Sequence, residues 1–312
     1  MKVFNSFENL ESIINPVLTI GTFDGVHIGH QKIIKKLNKE AEKNDGQSVL
    51  LTFYPHPRIV LNPENHGLSL IQTQEEKLAK LEHFGLDNLI VIPFTPAFSN
   101  LSAEEFVLEF LVEKLKVNTI IIGYDHQFGK NREGGVNFLN SISSKYNFNV
   151  IEIPAQEIND VNISSTRIRK AIENGEVEIA NKYLGEPLLL HGKVVKGKQL
   201  GRTIGYPTAN IELLSSLKII PKKGVYLVKI KINKIEYDGM MNIGTRPTVS
   251  KSNNISIEVN IFNFNNDIYY EEVEVSILKK IRDEKKFDSI EKLKNQLKED
   301  EQNCINISHT LS

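Results

Sequence analysis

The pattern of hydrophobic and polar positions divides the chain into two stretches of different period. Up to about residue 185, short continuous apolar runs alternate with stretches whose apolar positions recur at helical spacing. The runs 17–20, 48–53, 89–94, 119–123 and 150–153 predict strands. Helices are predicted between them, over about 29–43, 74–84, 102–115 and 135–145, the third opened by Ser102 with Glu105 three residues on, a capping-box pattern. Strands that are apolar throughout, alternating with helices, predict an α/β doubly wound parallel sheet buried on both faces. A short helical run from Val177 to Leu184 then stops at Gly185, with Pro187 just beyond. After that the period falls to two. Residues 188–196, 224–232, 235–243, 255–263 and 272–280 are β-rich, and 225–232 alternates most cleanly. Serial strands with short turns predict a small closed antiparallel β-barrel. A helix over about 289–297 is predicted to follow it, with Ile290, Leu293 and Leu297 on one face, while residues 303–312 carry no readable pattern. The expected domains are therefore 1–185 and 186–312.

Composition alters this picture little. The 312 residues suffice for two domains, and 40% hydrophobic with 25% charged is ordinary for a soluble protein. A net charge of −1 gives no global field to attract nucleic acid or an anionic membrane, so neither partner is expected. Cys304 is the single cysteine, which excludes an internal disulfide and a thiolate metal cluster. The opening Met-Lys-Val-Phe-Asn-Ser-Phe-Glu lacks the apolar core of a signal peptide, and no run is long enough to span a bilayer. The expected location is cytoplasmic. Oligomeric state is not set by the sequence.

The candidate chemistry follows the strands, where ligands of such sheets bind. After the first strand comes Gly21-Thr-Phe23-Asp24-Gly25-Val-His27-Ile-Gly29-His30, a glycine turn running into a helix, the geometry that offers backbone N–H groups to phosphate. His27 and His30, three apart at the helix start, share a side and can stabilise developing charge. Alone, such a pair would suit surface residues or half of a metal site. No further ligands stand nearby at metal spacing. After the second strand, Pro55 and Pro57 flank His56 in a rigid loop, where His56 suits a ligand-facing and a water-facing role equally. After the fourth, a glycine-rich loop carries Asp125, His126, Lys130 and Arg132. Near the end of this half, Ser164, Ser165 and Thr166 offer hydroxyls and a helix cap, and Arg167 and Arg169 forked donors for phosphate.

The second half has its own anion-binding composition. From His191 to Asn210 lie Gly192, Gly197, Gly201 and Gly205, three lysines including Lys198, and an arginine. Read cold, this is equally a basic turn. It is not a Walker A loop. Thr208 and Asn210 would share a strand face, and a hydroxyl with an amide oxygen suits Mg²⁺. Glu258 interrupts an apolar alternating run, where a carboxylate is costly unless paired or used, or else lies on an exposed strand face.

These motifs, over residues from about 10 to about 300, resemble the bifunctional riboflavin kinase/FAD synthetases of bacteria. The Gly-x-Phe-Asp-Gly-x-His-x-Gly-His turn is similar to the signature of the His-x-Gly-His nucleotidyltransferases. The segments 52–57, 123–129 (with His126 where the family has Phe) and Ile163-Ser-Ser-Thr-Arg-Ile-Arg169 are similar to further family motifs. In the second half the resemblance rests on Gly201 to Asn210 with Tyr206 and Pro207, on Asn242-Ile-Gly-Thr-Arg-Pro-Thr248, and on the run around Arg282. The resemblance implies phosphorylation of riboflavin to FMN by ATP in the barrel, with Glu258 as base and Thr208 and Asn210 on Mg²⁺. It implies adenylyl transfer from ATP to FMN in the first domain, with His27, His30 and Arg167 on the developing charge. Gly21, Phe23, Asp24, Gly29, His56, Asp125, Ser164, Ser165, Thr166, Gly192, Lys198, Gly201, Tyr206, Pro207 and Arg282 are then expected to contact flavin or nucleotide. Riboflavin, FMN and ATP are the expected small-molecule partners. Two rival readings are an enzyme with one working domain and a non-catalytic flavin sensor. A degenerate domain would have lost His30, Asn210 or Glu258, and the chain keeps all three.

Overall fold

In the computed structural model, which describes residues 1–61, 68–124, 126–154, 163–197, 199–245 and 255–311, the five apolar runs of the first half and a short edge strand form a sheet of six parallel strands. These are β1 (Lys2–Phe4), β2 (Val17–Ile20), β3 (Ser48–Tyr54), β4 (Asn88–Pro93), β5 (Thr119–Gly123) and β6 (Asn149–Ile153), in the order β1-β4-β3-β2-β5-β6. Alternate residues serve opposite faces, as a strand's period of two demands. Leu18, Ile20, Val49, Leu51, Ile90, Ile92, Ile120 and Ile122 pack with Phe106, Leu111 and Leu139 on one side. Val17, Leu50, Leu89, Ile121 and Ile153 pack with Ile34, Leu37 and Ala41 on the other. With both faces covered, the inner strands β2 to β5 are largely apolar.

Helix α1 (Ile28–Lys43) follows β2, and α2 (Gln74–His83) precedes β4. Ser102 caps Ala103–Phe106 in a true capping box with Glu105, and wider π-helical turns continue over Val107–Lys114. Helix α3 (Val136–Tyr146) joins β5 to β6. β2 has β3 on one side and β5 on the other, so the strand order reverses there. The histidine turn leaves β2 at its carboxyl end, at the switch point where such sheets bind ligands.

The chain divides into two compact units, one of Met1–Ser69 with Gln74–Ser164, the other of Leu70–Thr73 with Ser165–Ser312. The second begins with α4 (Ser165–Asn174) and α5 (Val177–Leu184), the latter ended by Gly185 in the left-handed conformation. Asn181 fastens α5 to the barrel, donating to Ile277 O at 2.8 Å and accepting from Leu188 N–H at 2.8 Å. The barrel strands are β7 (Leu188–Val195), β8 (Ala209–Leu213), β9 (Gly224–Ile232), β10 (Ile235–Thr245), β11 (Ile255–Ile261) and β12 (Glu272–Asp283). They close antiparallel in the order β10-β11-β8-β7-β12-β9, as expected from the second half's pattern.

The terminal helix differs from expectation: α6 runs Ile290–Leu311, through a tail in which no pattern was legible. Its buried positions beyond Leu297 are Asp300, Cys304 and Ser308, a stripe at helical spacing made largely of polar residues. Arg282 grips Asp300 with a fork of 3.0, 3.0 and 2.8 Å contacts, and Ser308 Oγ donates to Asp238 at 2.5 Å. Burial pushes the Cys304 thiol up to about 12, so it serves as a small apolar side chain.

Candidate active sites

The turn after β2 is held in unusual backbone geometry. Phe23, Gly25 and Val26 take positive φ of 47°, 90° and 35°, a conformation that non-glycine residues adopt at a cost. Hydrogen bonds fix it: Val26 N–H donates to Phe23 O at 3.2 Å, and Gln31 Nε2 to Val26 O at 2.9 Å. A Cβ at Gly21 would meet the Phe23 ring, and Gly29 and Asp24 are buried.

His27 caps α1, its Nδ1 accepting from the His30 N–H at 3.4 Å. That leaves the proton of a neutral His27 on Nε2. The His30 ring lies between two others, 3.7 Å from His27 and 4.4 Å from Phe23 between centroids, both stacked. Among the described residues, His30 Nδ1 is a buried atom with no hydrogen-bond partner.

Burial, with the charge of Lys80 second, lowers His27 to about 4 against Asp24's opposite pull. Burial, then His27, Lys80 and Lys77, holds His30 well below the ordinary histidine value. Both rings are therefore neutral N–H donors at neutral pH. The shift makes stability pH-dependent. Between about pH 6.5 and 4 the unfolded His27 binds a proton that the native ring refuses, so stability falls as pH falls through that window. The loss is on the order of 3 kcal/mol once complete. Denaturant midpoints at pH 7 and pH 4 should show it, and His27→Gln should reduce the difference.

Lys77 and Lys80 of α2 were not singled out in the sequence. Both are buried, Lys77 Nζ on Thr22 O and Lys80 Nζ on Gly25 O, each at 3.3 Å. Their signal was weak: two lysines three apart on the helix face that also carries Leu81.

His56 accepts from Arg58 N–H at 3.2 Å at the start of the short helix Pro57–Leu61. Ser164 and Thr166 are exposed and Ser165 half-buried. Arg167, exposed on α4, lies over the Tyr183 ring at 5.4 Å, and Arg169 is buried. Asp125 and Lys198 lie outside the described residues, as do Arg246, Pro247 and Thr248 of the second barrel motif.

On the barrel, residues from three separate strands and the entry to β8 converge. Glu258 stands opposite Asn210 across β11 and β8, and opposite Asn242 across β11 and β10. Thr208 Oγ1 donates to Glu258 Oε2 at 3.2 Å. Glu258 is half-buried and Asn210 buried. The glycine-rich loop closes on this cluster: a Cβ at Gly197 would collide with the Asn210 amide, and one at Gly201 with Tyr206 O. Gly192 is buried against Ile211 and Glu212. Asn260 Nδ2 donates to Pro207 O at 2.7 Å, holding the strand entry. Tyr206 donates to Glu301 at 3.1 Å, while the Arg282 fork is engaged by Asp300. The last two partners lie on α6, beyond the expected end of the terminal helix at about residue 297.

A parallel sheet with neutral imidazoles at its switch point, and a barrel with a glycine loop closed on a carboxylate, a hydroxyl and an amide, offer groups of the kinds that phosphoryl- and nucleotidyl-transferases use. The family described as FAD synthetase matches residues 10–167, and the family described as riboflavin kinase matches residues 184–308. Relatives named bifunctional riboflavin kinase/FMN adenylyltransferase include those of Buchnera aphidicola (41% identical, 96% of both chains) and Bacillus subtilis (37%, 93% of this chain and 91% of that one). That of Escherichia coli K12 is 35% identical over 96% of both. A solved structure named a macrolide-efflux protein from Streptococcus pneumoniae shares the fold, with a TM-score of 0.88 at 37% identity over 98% of this chain and 99% of that one. No helix among the described residues is long and apolar enough to cross a membrane. The chain belongs to the bifunctional riboflavin kinase/FMN adenylyltransferase family, and is an enzyme with both activities.

Proposed function

We propose that the two activities occupy separate ATP sites, adenylyl transfer within residues 1–185 and the kinase within 186–312. The observation that carries this reading is the barrel cluster, in which Glu258, Thr208 and Asn210 meet although Thr208 and Glu258 are 50 residues apart. The histidine turn offers imidazoles and backbone N–H groups instead, so the two sites differ in chemistry.

In the kinase step Glu258 takes the proton of the ribityl hydroxyl as its oxygen bonds to the γ-phosphorus of ATP and ADP leaves. Mg²⁺ fits the oxygens present. The set is a hydroxyl, an amide and a nearby carboxylate; no group of three or more His, Cys, Asp or Glu suited to a metal occurs among the described residues. A metal that keeps several waters and takes few protein donors suits that set. Thr208 and Asn210 would hold it, and when bound it would neutralise charge on the ATP phosphates.

In the adenylyl step an FMN phosphate oxygen bonds to the α-phosphorus of a second ATP and pyrophosphate leaves. His27 and His30 donate N–H groups to the charge that develops, and the turn's backbone holds the phosphates. Arg167 and the hydroxyls of Ser164, Ser165 and Thr166 are assigned to the triphosphate from their motif. The location is taken as cytoplasmic, where both flavin and ATP are at hand.

The test supplies riboflavin, ATP and Mg²⁺ and separates the flavins over time. FMN should appear first and FAD after it. Asn210→Ala should raise the Mg²⁺ concentration needed for FMN formation about 10- to 100-fold, with conversion of supplied FMN to FAD unchanged. Equal change in both steps would refute separate sites.

A further inference from the structure

Two buried cations beside the histidine turn have no part in the proposed roles. Lysine is seldom buried unless paired, yet Lys77 and Lys80 are each 8% exposed, on the α2 face turned to the histidine turn. Their ammonium groups meet main-chain carbonyls of the turn. Thr22 O accepts from Lys77 and also from Thr52 Oγ1, both at 3.3 Å. Gly25 O accepts from Lys80.

A planar peptide carries its N–H opposite its C=O. Anchoring Thr22 O thus fixes the direction of the Phe23 N–H, and anchoring Gly25 O fixes the Val26 N–H that closes the turn on Phe23 O. Both anchors act where φ is positive and the backbone would otherwise relax. The same ammonium groups act electrostatically on the stacked imidazoles, Lys80 on both rings and Lys77 on His30. The charged and titratable groups facing those rings are Asp24 from the turn, Lys77 and Lys80 from α2, and each ring's histidine partner on α1. Burial itself lowers Lys77 to about 8, with Asp24 opposing.

We propose that Lys77 and Lys80 are positioning residues for adenylyl transfer, fixing the turn by its inward carbonyls and supplying a positive field under the imidazole pair. Two neutral rings backed by two buried cations suit a triphosphate better than two imidazolium ions would. The rings donate hydrogen bonds at every pH above their own titration, while the positive charge stays behind the backbone, out of reach of attacking groups. The inference rests on the histidine turn being the adenylyl-transfer site.

The experiment uses the full chain and measures FMN to FAD against pH for wild type, Lys80→Met, Lys80→Gln and Lys80→Arg, with riboflavin kinase activity as the internal control. Lys80→Met should lower kcat about 10- to 100-fold with KM for FMN little changed. Its acid limb should move up toward the ordinary histidine range, since loss of the cation lets the rings protonate sooner. Lys80→Gln can still bond Gly25 O but is uncharged; its limb should move the same way. Lys80→Arg should restore the limb and most of the rate. Kinase activity should hold in all three.

An unmoved acid limb in Lys80→Gln overturns the proposal, whether or not the Met variant folds. So does an arginine variant as impaired as the methionine one, for then the lysine merely fills space. His30→Ala run in parallel separates the two levels. If it leaves FAD formation intact, the site assignment fails; if it stops FAD formation while the lysine variants behave as wild type, only this inference fails.

Discussion

His30→Ala is expected to stop the two-step reaction at FMN. With riboflavin and ATP supplied, the variant should accumulate FMN at the wild-type rate and form FAD about 10²- to 10³-fold more slowly, the usual cost of removing one preorganised donor to a developing oxyanion. The ring is the centre of a three-ring stack with His27 and Phe23, and its Nδ1 has no hydrogen-bond partner among the described residues. A buried polar atom without a partner is costly to stability and is retained where a ligand supplies the missing bond. Removing the ring therefore takes away transition-state contact, and it also leaves a gap beside Phe23. Kinase turnover reports folding of the second unit, and the denaturant midpoint reports that of the first. A variant that folds and still makes FAD at the normal rate would dismiss the imidazole pair as the catalytic feature.

What the sequence made legible followed what the physics constrains tightly. A parallel strand buried on both faces must be largely apolar, so β2 to β5 stood out, and the edge strand β6 showed through Val150, Ile151 and Ile153. The three-residue edge strand Lys2–Phe4 has too few positions to show any period. The terminal helix was half legible, because Leu293 and Leu297 mark its first turns while Asp300, Cys304 and Ser308 occupy the inward positions afterwards. Hydrophobic periodicity cannot report a stripe whose burial depends on Arg282 and Asp238 elsewhere in the chain. The same limit hid Lys77 and Lys80. Composition assigns lysine to the surface, and only the placement of α2 beside the turn shows where their ammonium groups end. Arg282 illustrates the converse: its motif was readable, but Asp300, which takes its fork, lies past the point where the apolar stripe of the terminal helix stops.

Glu258→Gln is expected to separate the activities in the opposite sense. Glutamine keeps the volume and can still accept from Thr208 Oγ1, so the β11 register against Asn210 and Asn242 should survive. What is lost is a group able to take the ribityl proton. General-base catalysis contributes about 10²- to 10⁴-fold, so FMN formation should fall by that factor while KM for ATP changes little. Supplied FMN should still be converted to FAD at the normal rate, because the histidine turn belongs to the other unit. A rival account makes Glu258 a structural acceptor that only holds Thr208 in place. Under that account the glutamine variant, which retains the hydrogen bond, would keep nearly full kinase activity, whereas Thr208→Val would lose it. If instead glutamine abolishes the kinase and Thr208→Ser retains it with a raised Mg²⁺ requirement, the carboxylate is the proton acceptor and the hydroxyl belongs to the metal.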